Sequence, residues 1–188
     1  MMSELDLSRR DGLPDALRVL LERYPRDMGE SHRNFDGLTR FWLDRHLMFR
    51  RALRDWQADT QGYLEKARDA RAHGQATAQL GGFLINQLHG HHQIEDAHYF
   101  PVLSQAEARL ARGFDLLDAD HHALDAELAA LTDAANTHLR QLSTGGDATT
   151  SAGAMLTRLN GFEAFLNRHL VDEEELVVPV ILHHALRF

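Results

Sequence analysis

The chain has 188 residues, enough for one domain with a substantial core, and its formal net charge of −8 argues against nucleic acid as a partner. It has no cysteine, which excludes disulfides, thiolate zinc sites, iron–sulfur ligation and cysteine nucleophiles together. No stretch approaches the ~20 apolar residues of a membrane span, and Met1 to Arg10 lack a signal peptide's apolar run, so the expected setting is the cytoplasm, with no membrane.

Few prolines and long apolar stripes predict an all-α protein. A short helix is expected from Pro14 to Tyr24, with Leu13, Leu17, Leu20, Leu21 and Tyr24 on one side and Pro25 closing it. Helix A is expected from about Leu38 towards Ala67, where Trp42, Phe49, Leu53 and Trp56 mark an apolar face that His46 shares. Arg68 to Ala76, containing Gly74, reads as a turn. Helix B follows from about Thr77 to His98, with Leu80, Leu84, Leu88, His91, Glu95 and His98 along one line, and Pro101 ends or kinks it. Ser104-Gln105-Ala106-Glu107 reads as a capping box that opens helix C. Its stripe is Leu110, Phe114, Leu117, His121, Leu124, Leu128 and Leu131, so His121 faces inwards while His122 falls beside Asp118 and Asp125. Ser143 to Gly153 reads as a loop. Helix D carries Met155, Leu159, Phe162, Leu166, His169, Glu173, Leu176 and Val180 on one face. The expected architecture is an up-down-up-down four-helix bundle with a short extra N-terminal helix. Residues 1–35 form the N-terminal extension and 36–188 the bundle.

The chemistry sits in a repeat. His46 is followed by the pair His91-x-x-x-Glu95, and His121 by the pair His169-x-x-x-Glu173, with a proline, Pro101 or Pro179, at the same distance after each pair. Histidine and glutamate four apart share a helix face. One such pair arises easily by accident, but the ordered repeat points to a duplicated helical hairpin. One imidazole per helix with two carboxylates is a donor set for two divalent ions, and the ions remove the cost of burying two glutamates. Iron is the expected metal, with manganese and zinc as alternatives, since these nitrogen and oxygen donors do not by themselves choose among them.

These residues, with Phe100-Pro101 and Val178-Pro179 closing the motifs, resemble the hemerythrin-like HHE cation-binding domain over roughly residues 36 to 182. The resemblance implies a four-helix bundle around a non-haem di-iron centre, bridged by carboxylates and by an oxo, hydroxo or water oxygen. His46, His91, His121 and His169 would be terminal ligands, and Glu95 and Glu173 bridges. Two positions depart from the oxygen carriers. Asp125 stands where they have a fifth histidine, and their closing His-x-x-x-x-Asp pair is replaced by the shorter spacing to Glu173. The four-histidine, two-glutamate set is closer to bacterial relatives linked to iron–sulfur cluster repair and nitric oxide stress. Those relatives commonly carry an N-terminal cysteine segment, which this chain lacks.

Competing readings are plainer. His121 and His169 could be core histidines bonded to carbonyls, and Glu95 and Glu173 solvated carboxylates. Glu174 and Glu175 read as exposed charge; His89, His92, His122, His183 and His184 read as surface or supporting residues. His98 reads as a helix-end histidine, a supporting donor or an extra ligand. His32, His73 and His138 attract no functional reading, and Trp42, Phe49, Phe114 and Phe162 read as core. No nucleophile motif, phosphate loop or general base separate from the ligands is evident, so no catalytic residue is assigned. The expected function is binding or sensing of O2 or NO, or of iron or redox state. Alternatives are a di-iron oxidase or peroxidase, an iron-handling repair factor, and a metal-stabilised interaction module. The N-terminal helix is the expected place for partner or homodimer contacts, or else it packs across a bundle end.

Overall fold

The computed structural model describes residues 5–188. Residues 1–4, part of the run read for a signal peptide and of the N-terminal extension, lie outside them. Every regular element among the described residues is helical. They are two 3-10 turns at Asp15–Leu17 and Arg26–Ser31, α1 (Gly37–Leu64), α2 (Ala70–Ile94), a π-helical turn (Glu95–Tyr99) and α3 (Phe100–Ala106). A 3-10 turn at Ala108–Leu110, α4 (Ala111–Ser143) and α5 (Thr149–His184) complete them.

Aspartates start three of the four long helices, α1, α2 and α5. Asp36 Oδ1 accepts the Thr39 N–H at 2.8 Å at the head of α1, and Asp69 Oδ1 accepts the Ala72 N–H at 2.9 Å at the head of α2. Asp147 Oδ1 takes the Thr149 N–H at 2.9 Å before α5. Each satisfies a backbone donor that the first helical turn leaves over. The same backbone bonds hold all three carboxyls below the usual range.

The chain divides into two compact units. The first comprises residues up to Leu47, His92–Ala123 and Phe165–Phe188. Its core gathers Leu13, Leu20 and Tyr24 with Trp42, Phe100, Leu103, Phe114, Leu117, Leu176 and Val180. The second comprises Met48–His91 and Leu124–Ala164, and buries Phe49, Leu53, Trp56, Leu84, Leu88, Leu124, Leu128, Leu131, Met155, Leu159 and Phe162.

Four local expectations need correction. The Pro14-to-Tyr24 segment is a 3-10 turn followed by hydrogen-bonded turns, although Leu13, Leu20 and Tyr24 are buried as its stripe requires. So short a segment gains little from helix propagation, and its apolar contacts decide its shape. The expected turn at Arg68–Ala76 is mostly helix, because the Asp69 cap and good helix formers outweigh Gly74. Of the two outcomes expected at Pro101, an end or a kink, the end is corrected, because the helical run continues through it. It sits in the first turn of α3, where no N–H is needed, and the π turn just before it absorbs the change of register. The supposed capping box is absent: Ser104 lies inside α3 and Glu107 is that helix's C-cap, at φ −129° and ψ 74°.

Candidate metal centre

In the first unit, α1 supplies His46, the π turn Glu95, α4 His121, and α5 both His169 and Glu173. All five are buried, none more than 2 % exposed. His46 Nε2 lies 3.3 Å from Glu173 Oε2, and His169 Nε2 lies 3.5 Å from that same oxygen. His121 Nε2 lies 3.6 Å from Glu95 Oε2. The sixth expected residue, His91, is the last of the second unit, buried, with its ring centroid 5.1 Å from that of Phe49. It lies one helical turn before Glu95 along the same run.

The outward nitrogens are held as well. The Nδ1–H of His46 donates to Glu174 Oε1 at 3.0 Å, that of His121 to Asp96 Oδ1 at 2.7 Å, and that of His169 to Asp120 Oδ2 at 3.4 Å. A carboxylate on Nδ1 fixes the tautomer and leaves the Nε2 lone pair facing inwards. Those lone pairs then face glutamate oxygens, which are acceptors themselves. Among the described residues, His121 Nε2 and both Glu173 oxygens are buried with no hydrogen-bond partner. Buried polar atoms seldom stay so.

The facing imidazole and carboxylate atoms stand 3.3 to 3.6 Å apart. They match two donors each about 2.1 Å from one ion, which stand roughly 3 to 3.5 Å apart. Burial, then the neighbouring Glu95 carboxylate, pushes the Glu173 carboxyl well above its usual range. A cation between the two would reverse that cost. The donor set therefore fits a divalent transition metal, through imidazole nitrogen and carboxylate oxygen.

A model of the hemerythrin HHE cation-binding domain matches residues 37–181. The chain belongs to this family. No curated protein and no solved structure matches it. The family accounts for cation binding, and the buried histidine and glutamate groups of this HHE chain are compatible with it.

Several residues escape sequence reasoning. His92 was expected at the surface or in a supporting place, yet it is 2 % exposed and stacks on His121 at 4.0 Å and 10°. One ring nitrogen each from His92, His121 and His169 lie within 4.8 Å of one another. Its spacing three before Glu95 was the available signal, and the π turn beginning at Glu95 marks where the helix departs from regular phase. Glu174, expected to be exposed, is 9 % exposed and bonds His46. Asp96, Asp120 and Glu174 each adjoin a site residue in sequence and bond a histidine of a different helical segment. Trp42 is buried as expected, and its indole N–H also donates to Glu95 Oε1 at 2.6 Å. His89, His98 and His122 are exposed. Asp125 accepts a 3.3 Å bond from His89 Nδ1.

Proposed function

We propose that this chain is a non-haem di-iron protein that binds or senses O2 or NO, or reports iron or redox state. In this reading residues 36–188 form an up-down-up-down four-helix bundle behind an N-terminal extension, and the protein works in the cytoplasm. The reading rests on His121 Nε2 and the two Glu173 oxygens, three buried donor atoms without hydrogen-bond partners beside further imidazole and carboxylate groups.

His46, His91, His121 and His169 would be terminal ligands, Glu95 and Glu173 would be shared between two ions, and His92 offers a further nitrogen. Two irons held by these residues would supply redox change and Lewis acidity towards a small ligand. The protein's own part is to hold the histidine tautomers through Glu174, Asp96 and Asp120, and to keep water scarce.

An apolar cleft favours a small uncharged ligand over a polar substrate. Leu38, Trp42, Phe100, Leu103, Val177 and Ile181 line it; it reaches Glu95 and has about 20 Å³ of space, enough for one water-sized molecule.

Metal analysis of protein from iron-sufficient cells should give about two irons per chain, in keeping with the proposed donor set. Rapid mixing of the reduced, iron-loaded protein with O2 or NO should change its visible absorption. A fully loaded protein unresponsive to both gases would defeat the gas-binding reading and leave the metal in a structural role.

A further inference from the structure

Two arginines from the segment before α1 reach the carboxylates that hold the site histidines. Arg10 is buried, its side chain 3 % exposed. Its Nη1–H and Nη2–H groups donate to Asp120 Oδ1 and Oδ2 at 3.2 and 2.5 Å, and its Nε–H donates to Asp172 Oδ2 at 2.8 Å. Arg10 also donates to the Leu5 carbonyl, which ties the guanidinium to its own segment. Asp120 Oδ2, gripped by Arg10, is the oxygen that accepts from His169 Nδ1. Arg26 repeats the arrangement at lower cover. It donates to Glu174 Oε2, while Glu174 Oε1 accepts from His46 Nδ1. Both arginines precede residue 37, where the family match begins.

We propose that the segment before α1 is a strap that positions the metal ligands, Arg10 acting through Asp120 on His169 and Arg26 through Glu174 on His46. This rests on the metal reading above. A guanidinium fork fixes the plane of a carboxylate as a single point charge does not. A fixed carboxylate plane fixes the ring that donates to it, and so the direction of the Nε2 lone pair. Asp120 and Asp172 are also deep, 3 % and 0 % exposed at the side chain, so no water shell would replace the arginine. Without Arg10, Asp120 is free to turn and His169 loses its orientation.

The test uses the full-length, iron-loaded chain and follows the rate at which iron passes to a ferrous chelator. Arg10→Ala should release iron at least about ten-fold faster, the effect typical of losing such a supporting partner. Arg26→Ala should give a smaller increase, because its side chain is 47 % exposed. Arg18→Ala, at an exposed position of the same segment, should leave the rate unchanged. Asp120→Asn should match Arg10→Ala, and the double variant should be no faster than either, because the two act in series. Additive effects, or a folded Arg10→Ala protein with the wild-type rate, would overturn the strap. Should Arg10→Ala fail to fold, Arg10→Lys and Asp120→Asn decide by the same criterion. A wild-type chain that takes up no iron defeats the metal reading instead. Nitrogen NMR of the metal-free protein then tests the strap alone, and unchanged His169 ring-nitrogen shifts in Arg10→Lys, which report the strength of its bond to Asp120, overturn it.

Discussion

Trp42 donates its indole N–H to Glu95 Oε1 at 2.6 Å while its ring lies 4.2 Å from the imidazole of His46. One side chain of α1 therefore orients a carboxylate of the π turn and packs beside a histidine of its own helix. Trp42→Phe keeps an aromatic ring and removes the donor. It should speed iron release roughly ten-fold and lower stability by about 1 to 3 kcal/mol, the cost of losing a hydrogen bond to a charged group. Chelator kinetics and thermal melts check both, and an unchanged release rate would reduce Trp42 to core packing.

Adjacent histidines in α4 have opposite surroundings. His121 is 2 % exposed and bonded to Asp96, whereas His122 is 81 % exposed and lies 3.9 Å from Asp118. His121→Ala should weaken iron binding at least ten-fold, and His122→Ala should leave stoichiometry at the wild-type value. Metal analysis after desalting separates them. Equal losses would place the ligand elsewhere on α4.

Periodicity made the long helices legible because an apolar stripe is a local property. Leu117, His121 and Leu124 share one face however the rest of the chain folds, so reading His121 as inward and His122 as outward needed no partner. The supporting carboxylates were illegible for the opposite reason. Glu174 sits in an acidic run that looks solvated, and His46 and Arg26, brought from distant positions, help make its burial favourable. His92 follows Leu84 and Leu88 at steps of four, and its neighbour His91, four before Glu95, drew the reading instead. Arg10 was hidden by distance, since its two aspartates lie on α4 and α5.

In the second unit α1 and α2 meet at a glycine. A Cβ on Gly81 would stand 2.8 Å from the Trp56 ring, a rigid and fully buried neighbour. Gly81→Ala should therefore destabilise by about 1 to 3 kcal/mol through overpacking, despite alanine's helix preference of roughly 1 kcal/mol. At Gly113 the clashing atom is the tip of Leu176, 2.7 Å away. That tip has rotamers to use, so Gly113→Ala should change stability by less than about 1 kcal/mol. Chemical denaturation compares the two; equal costs would mean that the Trp56 ring yields as readily as a leucine.

A buried hydrogen-bond chain in the same unit makes stability depend on pH. His73 Nδ1–H donates to Asp59 Oδ2 at 2.6 Å, and the Nε2 atoms of His73 and His138 lie 2.8 Å apart. His138 Nδ1 meets Ser151 Oγ at 2.8 Å. Arg68 pairs with Asp59, and Tyr63 stacks on His73 at 4.6 Å. Only one proton fits between the two Nε2 atoms. Burial first, and His73 second, lower the His138 pKa from 6.5 to about 4. The unfolded chain therefore takes up a proton between pH 6.5 and 4 that the folded chain refuses. This contribution is complete above pH 6.5 and is lost as pH falls towards 4, by up to roughly 3 kcal/mol. Melting temperatures of wild type and His138→Leu across that range should converge as pH falls, because the variant lacks the titrating group. Parallel curves would show that His138 takes up its proton in the folded state as easily as in the unfolded one.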